Sequence, residues 1–311
     1  MTLNPCLDKT LNVPPWHPGD SVRGLAVREV VGGKGNNVAR ALTRLGRQAR
    51  PVTFLGGPLG DHCADLLRVD DGLDPLITPT AAPTRTILTV RTDGQGEPTA
   101  FFDPDPAVTP SEADALLHRV EGALTEGGVE AVTLSGSSPS PATDGLYSDL
   151  IALARAHKVP VFMDTYGPPL EMIWGFWPDL VQLNRREAAA HLRNPDPSEA
   201  DLFDLLHHWT RQGVRLALVT DGPHAVLAQT RGQRYRIVPP RIEAVNPIGS
   251  GDCLLAGLTD AMLANRPLED QLRHGVACAS ANARVWDAGA LDPAEVGRLE
   301  PAVVVESLTR R

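Results

Sequence analysis

Several stretches of this chain place chemically able side chains beside glycine turns. The most informative is Asn246-Pro247-Ile248-Gly249-Ser250-Gly251-Asp252. Pro247 and two glycines force a tight turn just before an apolar run that reads as a helix. The N–H groups of Gly249, Ser250 and Gly251 can then converge on one point, with the helix dipole behind them. That is an anion hole suited to the charge on a transferring phosphoryl group. Asp252 falls in the first helical turn, where the field favours its ionised form, and can take a proton from a substrate hydroxyl. A carboxylate with the usual pKa of about 3.9 is a weak base for an alcohol. It suffices if the proton moves late, once the new P–O bond has acidified the hydroxyl. Taken alone, Asp252 reads equally well as a plain N-terminal helix acid.

A second glycine turn, Gly32-Gly33-Lys34-Gly35-Asn36-Asn37, precedes another helix. Lys34 brings a mobile point charge, and Asn37 a two-sided hydrogen-bonding group suited to sugar hydroxyls. Lys34 is one of three lysines, with Lys9 and Lys158, among twenty-nine basic residues. A compact ammonium retained in so arginine-rich a chain points to a specific use. Upstream, Asn4-Pro5-Cys6-Leu7-Asp8 puts Asp8 in a loop after a short apolar strand, where α/β sites lie. Asn184-Arg185-Arg186-Glu187 follows another apolar strand; its oxygens at i and i+3 can hold Mg²⁺ through water or simply cap a helix.

The elements that must carry these residues alternate. β-rich runs at Pro51–Leu55, Val129–Leu134, Val159–Met163, Leu180–Leu183 and Leu216–Thr220 are nearly continuously apolar. Between and around them lie helical-period stretches: Val38 to Leu45 ending at Gly46, Ala113–Gly122, Gly145–His157, Glu199–Gln212 and Cys253–Ala264. Such alternation predicts an α/β fold with a mainly parallel sheet covered on both faces. Two segments break the rhythm. Leu11–Val31, with Ala26–Val31 as its second arm, and Thr84–Thr92 with Glu97–Phe102 around Asp93–Gly96, read as extended pairs. They predict a small accessory sheet that acts as a lid. The expected division is a large α/β domain of 1–10, 32–83 and 103–311, with the lid at 11–31 and 84–102.

Composition narrows the class. The chain has 311 residues and a net charge of −9, without a like-charged block, so no footprint for nucleic acid or an anionic membrane is present. No run reaches the ~18 apolar residues of a membrane helix, and the start lacks a signal-peptide pattern. Cys6, Cys63, Cys253 and Cys278 are scattered, as expected of buried thiols in a reducing, cytoplasmic setting. G-x-G-x-x-G, the P-loop, H-E-x-x-H and G-x-S-x-G are all missing, which weighs against dinucleotide oxidoreductases, P-loop enzymes, zinc hydrolases and serine hydrolases.

The set Asn4-Pro5…Asp8, Gly32-Gly33-Lys34-Gly35-x-Asn37, Ser135-Gly136-Ser137, Asn184-x-x-Glu187 and Gly249-Ser250-Gly251-Asp252 resembles the ribokinase-like, PfkB-type carbohydrate kinases across nearly the whole chain. Its Thr2-Leu3-Asn4-Pro5 start and Asn246-Pro247-x-Gly249-Ser250-Gly251-Asp252 look most like the 1-phosphofructokinase and tagatose-6-phosphate kinase branch. The resemblance implies an α/β/α sandwich with a β lid that builds a homodimer, and ATP with Mg²⁺. It also implies phosphorylation of a ketohexose phosphate with Asp252 as base. On the same basis Asp8, Gly33 and Asn37 would bind sugar hydroxyls, Lys34 and Arg85 the sugar phosphate, and Ser137 part of the sugar. Thr220 and Gly222 would form the nucleotide turn, with Asn184 and Gly251 alongside. Three features depart from the family pattern. Gln182 stands where relatives carry a phosphate-binding Lys, and Ala225 closes the nucleotide turn in place of Gly, with Asp221 as an added acid. The first strand also starts late, so it is stunted or the true start lies upstream of Met1. The alternatives are a kinase of an unphosphorylated sugar or nucleoside, and a catalytically weak sugar-phosphate-binding protein.

Overall fold

The structure, a computed structural model, describes residues 1–92, 98–173 and 175–308. In chain order the first elements are β1 (Cys6–Asn12), β2 (Ala26–Gly32), α1 (Lys34–Arg44), β3 (Val52–Leu55), α2 (Gly57–Val69), β4 (Leu76–Pro79), β5 (Arg85–Arg91) and β6 (Thr99–Phe102). Then come α3 (Pro110–Glu126), β7 (Val132–Ser135), α4 (Leu146–Ala156), β8 (Val161–Asp164), α5 (Pro168–Glu171), β9 (Leu180–Asn184), α6 (Arg185–Leu192) and α7 (Glu199–Gln212). The last are β10 (Leu216–Thr220), β11 (Val226–Gln229), β12 (Arg234–Val238), α8 (Ser250–Leu263), α9 (Leu268–Ala283), α10 (Pro293–Leu299) and β13 (Val304–Leu308).

The main sheet has the order β13-β12-β11-β10-β9-β8-β7. From β7 to β10 it is parallel, and the remaining pairs are antiparallel. A parallel pair, β3–β4, joins it through Thr2, which bridges Thr53 on one side and Ser135 on the other. The first strand of this layer is therefore a single bridging residue. Period-two alternation divides the strand residues between two cores. Met163, Val181, Leu183, Ala217 and Val219 pack on one face with residues of α3, α4 and α7. Phe162, Leu180, Leu216 and Leu218 pack on the other with residues of α1, α8 and α9. Each fully buried Leu or Phe contributes about 1.5–3 kcal/mol, so both faces are firmly covered.

Local signals place the helix ends. Thr109, Asn184 and Ser198 close capping boxes with Glu112, Glu187 and Asp201 at the starts of α3, α6 and α7. Gly46, at φ 87°, follows the last residues of α1, as its position after Leu45 predicted.

The accessory sheet is four-stranded, in the order β2-β1-β5-β6. It begins earlier than the expected boundary, because its first strand is Cys6–Asn12 and not a segment starting at Leu11. Asp8, expected in a loop, thus lies within β1, opposite Val30 and Ile87. The Pro-rich stretch that follows forms no strand, since Pro14, Pro15 and Pro18 supply no amide to a ladder. β5 and β6 pair antiparallel, with Leu88 opposite Phe101. The proposed turn at Asp93–Gly96 lies outside the described residues.

Candidate active site

The turn before α8 is built from the inside. Gly249 is its N-cap at φ 84°, and a Cβ there would sit 2.8 Å from Ala288 Cα, so no other residue fits. Asn282 donates to the Ile248 carbonyl at 2.9 Å and accepts from Gly289 N–H at 2.9 Å. Asn246 donates to the Trp286 carbonyl at 2.7 Å. Ser250 N–H is consumed in the turn, donating to Pro247 O at 3.2 Å. It therefore does not face an anion as expected. The next two amides, of Gly251 and Asp252, take no backbone acceptor among the described residues. The Gly249 amide likewise takes no backbone acceptor among them, so of the three expected donors Gly249 and Gly251 remain and Ser250 does not.

Asp252 is buried at 5% exposure and accepts from Asn37 Nδ2 at 2.8 Å. Burial, reinforced by the neighbouring Asp164 carboxylate, pushes its pKa up to about 7 against the pull of Lys34 and the Asn37 amide. Its place in the first helical turn predicts an ordinary carboxylate kept ionised by the helix field; enclosure overrides that field. Asn37 reaches Asp252 because Gly33, at φ 111°, lets the chain turn into α1; a Cβ there would meet Thr2 Cγ2 at 2.5 Å. The Asn37 amide is thus engaged by the Asp252 carboxylate.

Lys34, also on α1, is claimed by this chain's own acids. Its Nζ lies 2.8 Å from Asp164 Oδ1 and 3.0 Å from Glu187 Oε1, with the Tyr166 ring centroid at 5.2 Å. Burial alone would lower this ammonium's pKa, but Asp164, Glu187 and Asp252 outweigh it and hold it raised. Gln182 completes the network, donating from Nε2 to Asp164 Oδ2 at 3.0 Å and to the Gly251 carbonyl at 2.8 Å. Its Oε1 is buried without a partner. Register explains the meeting: Asp164 pairs with Gln182 across β8 and β9, and both follow Phe162 and Leu180 onto the α8 face.

A second group stands alongside, since Gly136 approaches the Lys34 Cβ. Arg85, the first residue of β5, lies 2.8 Å through Nη1 from Asp105 Oδ1, and its Nε is buried without a partner. Asn4 Nδ2 donates to the same Asp105 oxygen at 2.9 Å and to Ser137 Oγ at 3.3 Å. Asp8 is half-buried, and desolvation raises its pKa. Lys34 and Arg85 thus belong to separate clusters, each already matched by carboxylates, rather than facing one another as unpaired cations.

A third group lies where β9 and β10 end. Thr220 ends β10 opposite Asn184, and Gly222 turns at φ 54°. Asp221, the added acid, has Arg185 Nη1 at 3.7 Å, which offsets its charge. Asn184 and Glu187 were candidates for holding Mg²⁺. Asn184 Oδ1 accepts from Glu187 N–H, and Glu187 Oε2 from Asn184 N–H, both at 2.9 Å, while Oε1 holds Lys34. Each of these oxygens already accepts one contact and keeps a further lone pair, which fits holding Mg²⁺ through water. Among the described residues no group of three His, Cys, Asp or Glu could hold a metal ion.

Sequence reasoning passed over Asp164, Asp105, Asn282 and Arg40. Asp164 carried a readable signal, a carboxylate closing an apolar strand at the carboxyl edge of a parallel sheet. The other three acquire meaning only through partners distant in the chain.

An enclosed carboxylate beside helix amides without backbone acceptors, at the carboxyl edge of a doubly covered sheet, fits one class: α/β phosphotransferases acting on a hydroxyl. Residues 1–294 match the pfkB family of carbohydrate kinases, and the chain belongs to that family. It is an ATP-dependent sugar kinase. Among solved structures it is similar to Escherichia coli phosphofructokinase-2 in complex with fructose 6-phosphate, at 26% identity over 96% of each chain and a TM-score of 0.83. The tetrameric inhibited form of that enzyme matches at 25% identity, TM-score 0.85, again over 96% of each chain. A Thermotoga maritima protein described as a possible 1-phosphofructokinase shares 24% identity, TM-score 0.87, over 99% of this chain and 98% of its own. The ribokinase-like fold expected from the motifs is thereby established.

Proposed function

We propose that this kinase transfers the γ-phosphoryl group of Mg·ATP to a free hydroxyl of a ketohexose phosphate. The observation that carries the reading is Asp252, enclosed and raised to about 7 at the start of α8. Such a carboxylate can accept the hydroxyl proton as the new O–P bond forms and the β–γ bridging oxygen leaves on ADP. The Gly251 and Asp252 amides and the α8 dipole favour charge growing on the transferred oxygens. Asp8, Gly33, Asn37 and Ser137 are assigned to the sugar, Lys34 and Arg85 to its phosphate, and Thr220, Gly222, Asn184 and Gly251 to the nucleotide. The ion would arrive on the nucleotide's phosphates, with Asn184 and Glu187 near it through water. The fructose 6-phosphate complex of the E. coli neighbour supports a phosphorylated acceptor.

A second reading, an unphosphorylated sugar, is favoured by one fact: Lys34 and Arg85 are both already paired with acids. The deciding experiment is ADP release with fructose 1-phosphate, tagatose 6-phosphate and fructose 6-phosphate against free fructose, tagatose and ribose. One phosphosugar is expected to lead in kcat/KM by ~10² or more. A free sugar turned over best would install the second reading.

A further inference from the structure

Arg40 is 7% exposed and stands one helical turn after Asn37 on α1. Its Nη1 donates to Asn37 Oδ1 at 2.9 Å. That contact decides which way the Asn37 amide points, because the carbonyl end is taken and the NH₂ end is left for Asp252. The guanidinium is itself clamped from three other directions. Nε and Nη2 form a two-pronged pair with Asp71 at the end of α2, at 2.7 Å each. Nη2 reaches the Val31 carbonyl on β2 and Nη1 the Ala288 carbonyl behind Gly249, both at 3.2 Å. So many fixed contacts leave the guanidinium no alternative rotamer and, through it, leave the amide none.

We propose that Arg40 is a positioning residue for phosphoryl transfer: by locking the Asn37 amide with its N–H side toward Asp252, it aims the base and favours its ionised form. The inference rests on Asp252 being the base. A released amide can rotate its carbonyl oxygen toward the carboxylate, exchanging a donor for a repelling acceptor. The charged groups around Asp252 are Lys34 on α1, Asp164 on β8 and Glu187 on α6, and replacing Arg40 alters none of them. A lysine is no substitute, since one ammonium cannot hold a carboxylate in a fork while donating to an amide and two carbonyls in fixed directions.

The test compares wild type, Arg40→Lys and Asp71→Glu for kcat, both KM values and the pH profile of kcat/KM, with the folded fraction followed by circular dichroism. Arg40→Lys is expected to lower kcat per folded molecule about ten-fold or more near neutral pH, with the KM for ATP changing less than about two-fold and the acceptor KM rising by less than kcat falls, since Asn37 is also assigned to the sugar. The acid limb of the profile moves to higher pH, so the loss shrinks at alkaline pH. Asp71→Glu, which keeps both charges but displaces the guanidinium's anchor, should move the limb the same way by less. A limb unmoved in the folded variants, whether kcat is unchanged or falls equally at every pH, overturns the proposal. If Arg40→Lys does not fold, Asp71→Glu alone decides on the same criterion. Failure of the underlying reading is separate: it appears as Asp252→Asn retaining kcat.

Discussion

An aspartate in water loses its proton near pH 4, whereas Asp252, enclosed beside Asp164, is raised to about 7. A base must be unprotonated to act, so kcat/KM should fall as pH drops through about 7, and the profile of the free enzyme measures this directly. Asp252→Asn should lower kcat by at least ~10² while leaving acceptor binding, read by calorimetry, nearly intact. Asp105 offers a test of a different kind. It holds Arg85 at 2.8 Å, so an acceptor phosphate must compete with it. Asp105→Asn should therefore lower KM for the phosphosugar several-fold, a charge-assisted contact being worth about 1.5–3 kcal/mol. An unchanged or higher KM would mean that Arg85 does not meet the phosphate. At this scale the sequence was half legible. Asp252, Lys34 and Asn37 announce themselves by the glycines around them, but Asp164 and Glu187, which hold Lys34, lie 130 and 153 residues away. No local pattern encodes such a pairing.

Among elements, the turn into α8 depends on one left-handed residue backed by another segment. Gly249→Ala would combine strain at φ 84° with a contact of 2.8 Å to Ala288 Cα. The strain alone costs about 1–2 kcal/mol. We expect a lower melting temperature and a loss of kcat larger than the change in either KM, because the displaced amides serve the transferring group. Wild-type kcat and stability in that variant would show that the turn tolerates a side chain. The parallel strands were legible because both their faces are buried and their sequences are almost unbroken apolar runs. β11, β12 and β13 were not, since short antiparallel strands with mixed exposure carry weaker signals. α2 and α9 also escaped notice: Gly57-Pro58 reads as a turn, and the small residues of α9 blur its apolar stripe.

At the scale of the molecule, α8 and α9 are joined by a charged cluster behind the site. His274 lies 3.3 Å from Asp260 and 2.8 Å from Glu300, which Arg47 and Arg266 also hold. Burial lowers the imidazole's pKa, but the hydrogen bond with Asp260, the neighbouring Cys278 and Glu300 reverse this and raise it to about 10. A raised folded pKa means that the folded state binds the extra proton between pH ~6.5 and about 10. Stability from this group is complete below that window and is lost as pH rises through it. The urea midpoint should thus fall from pH 7 to pH 9.5, and His274→Gln should flatten the slope; an unchanged slope would remove His274 as its source. The accessory sheet and the turn into it leave Leu25, Val27, Phe101 and Phe102 at 70%, 56%, 53% and 65% exposure. We propose that a second copy covers them. Sedimentation at micromolar concentration should show a dimer, and Phe102→Asp should dissociate it; an active monomeric wild type refutes the assignment.

The alternation of strand and helix, the two glycine turns and the family likeness were all written in local order, because turn chemistry and burial period act over a few residues. The tertiary structure decided the rest. It put Ser250 N–H into its own turn, set Lys34 and Arg85 against this chain's carboxylates, and raised Asp252 by enclosing it. Those outcomes depend on which distant groups share a desolvated space, and charge interactions across such a space are fixed by distance and dielectric, which a linear sequence does not contain.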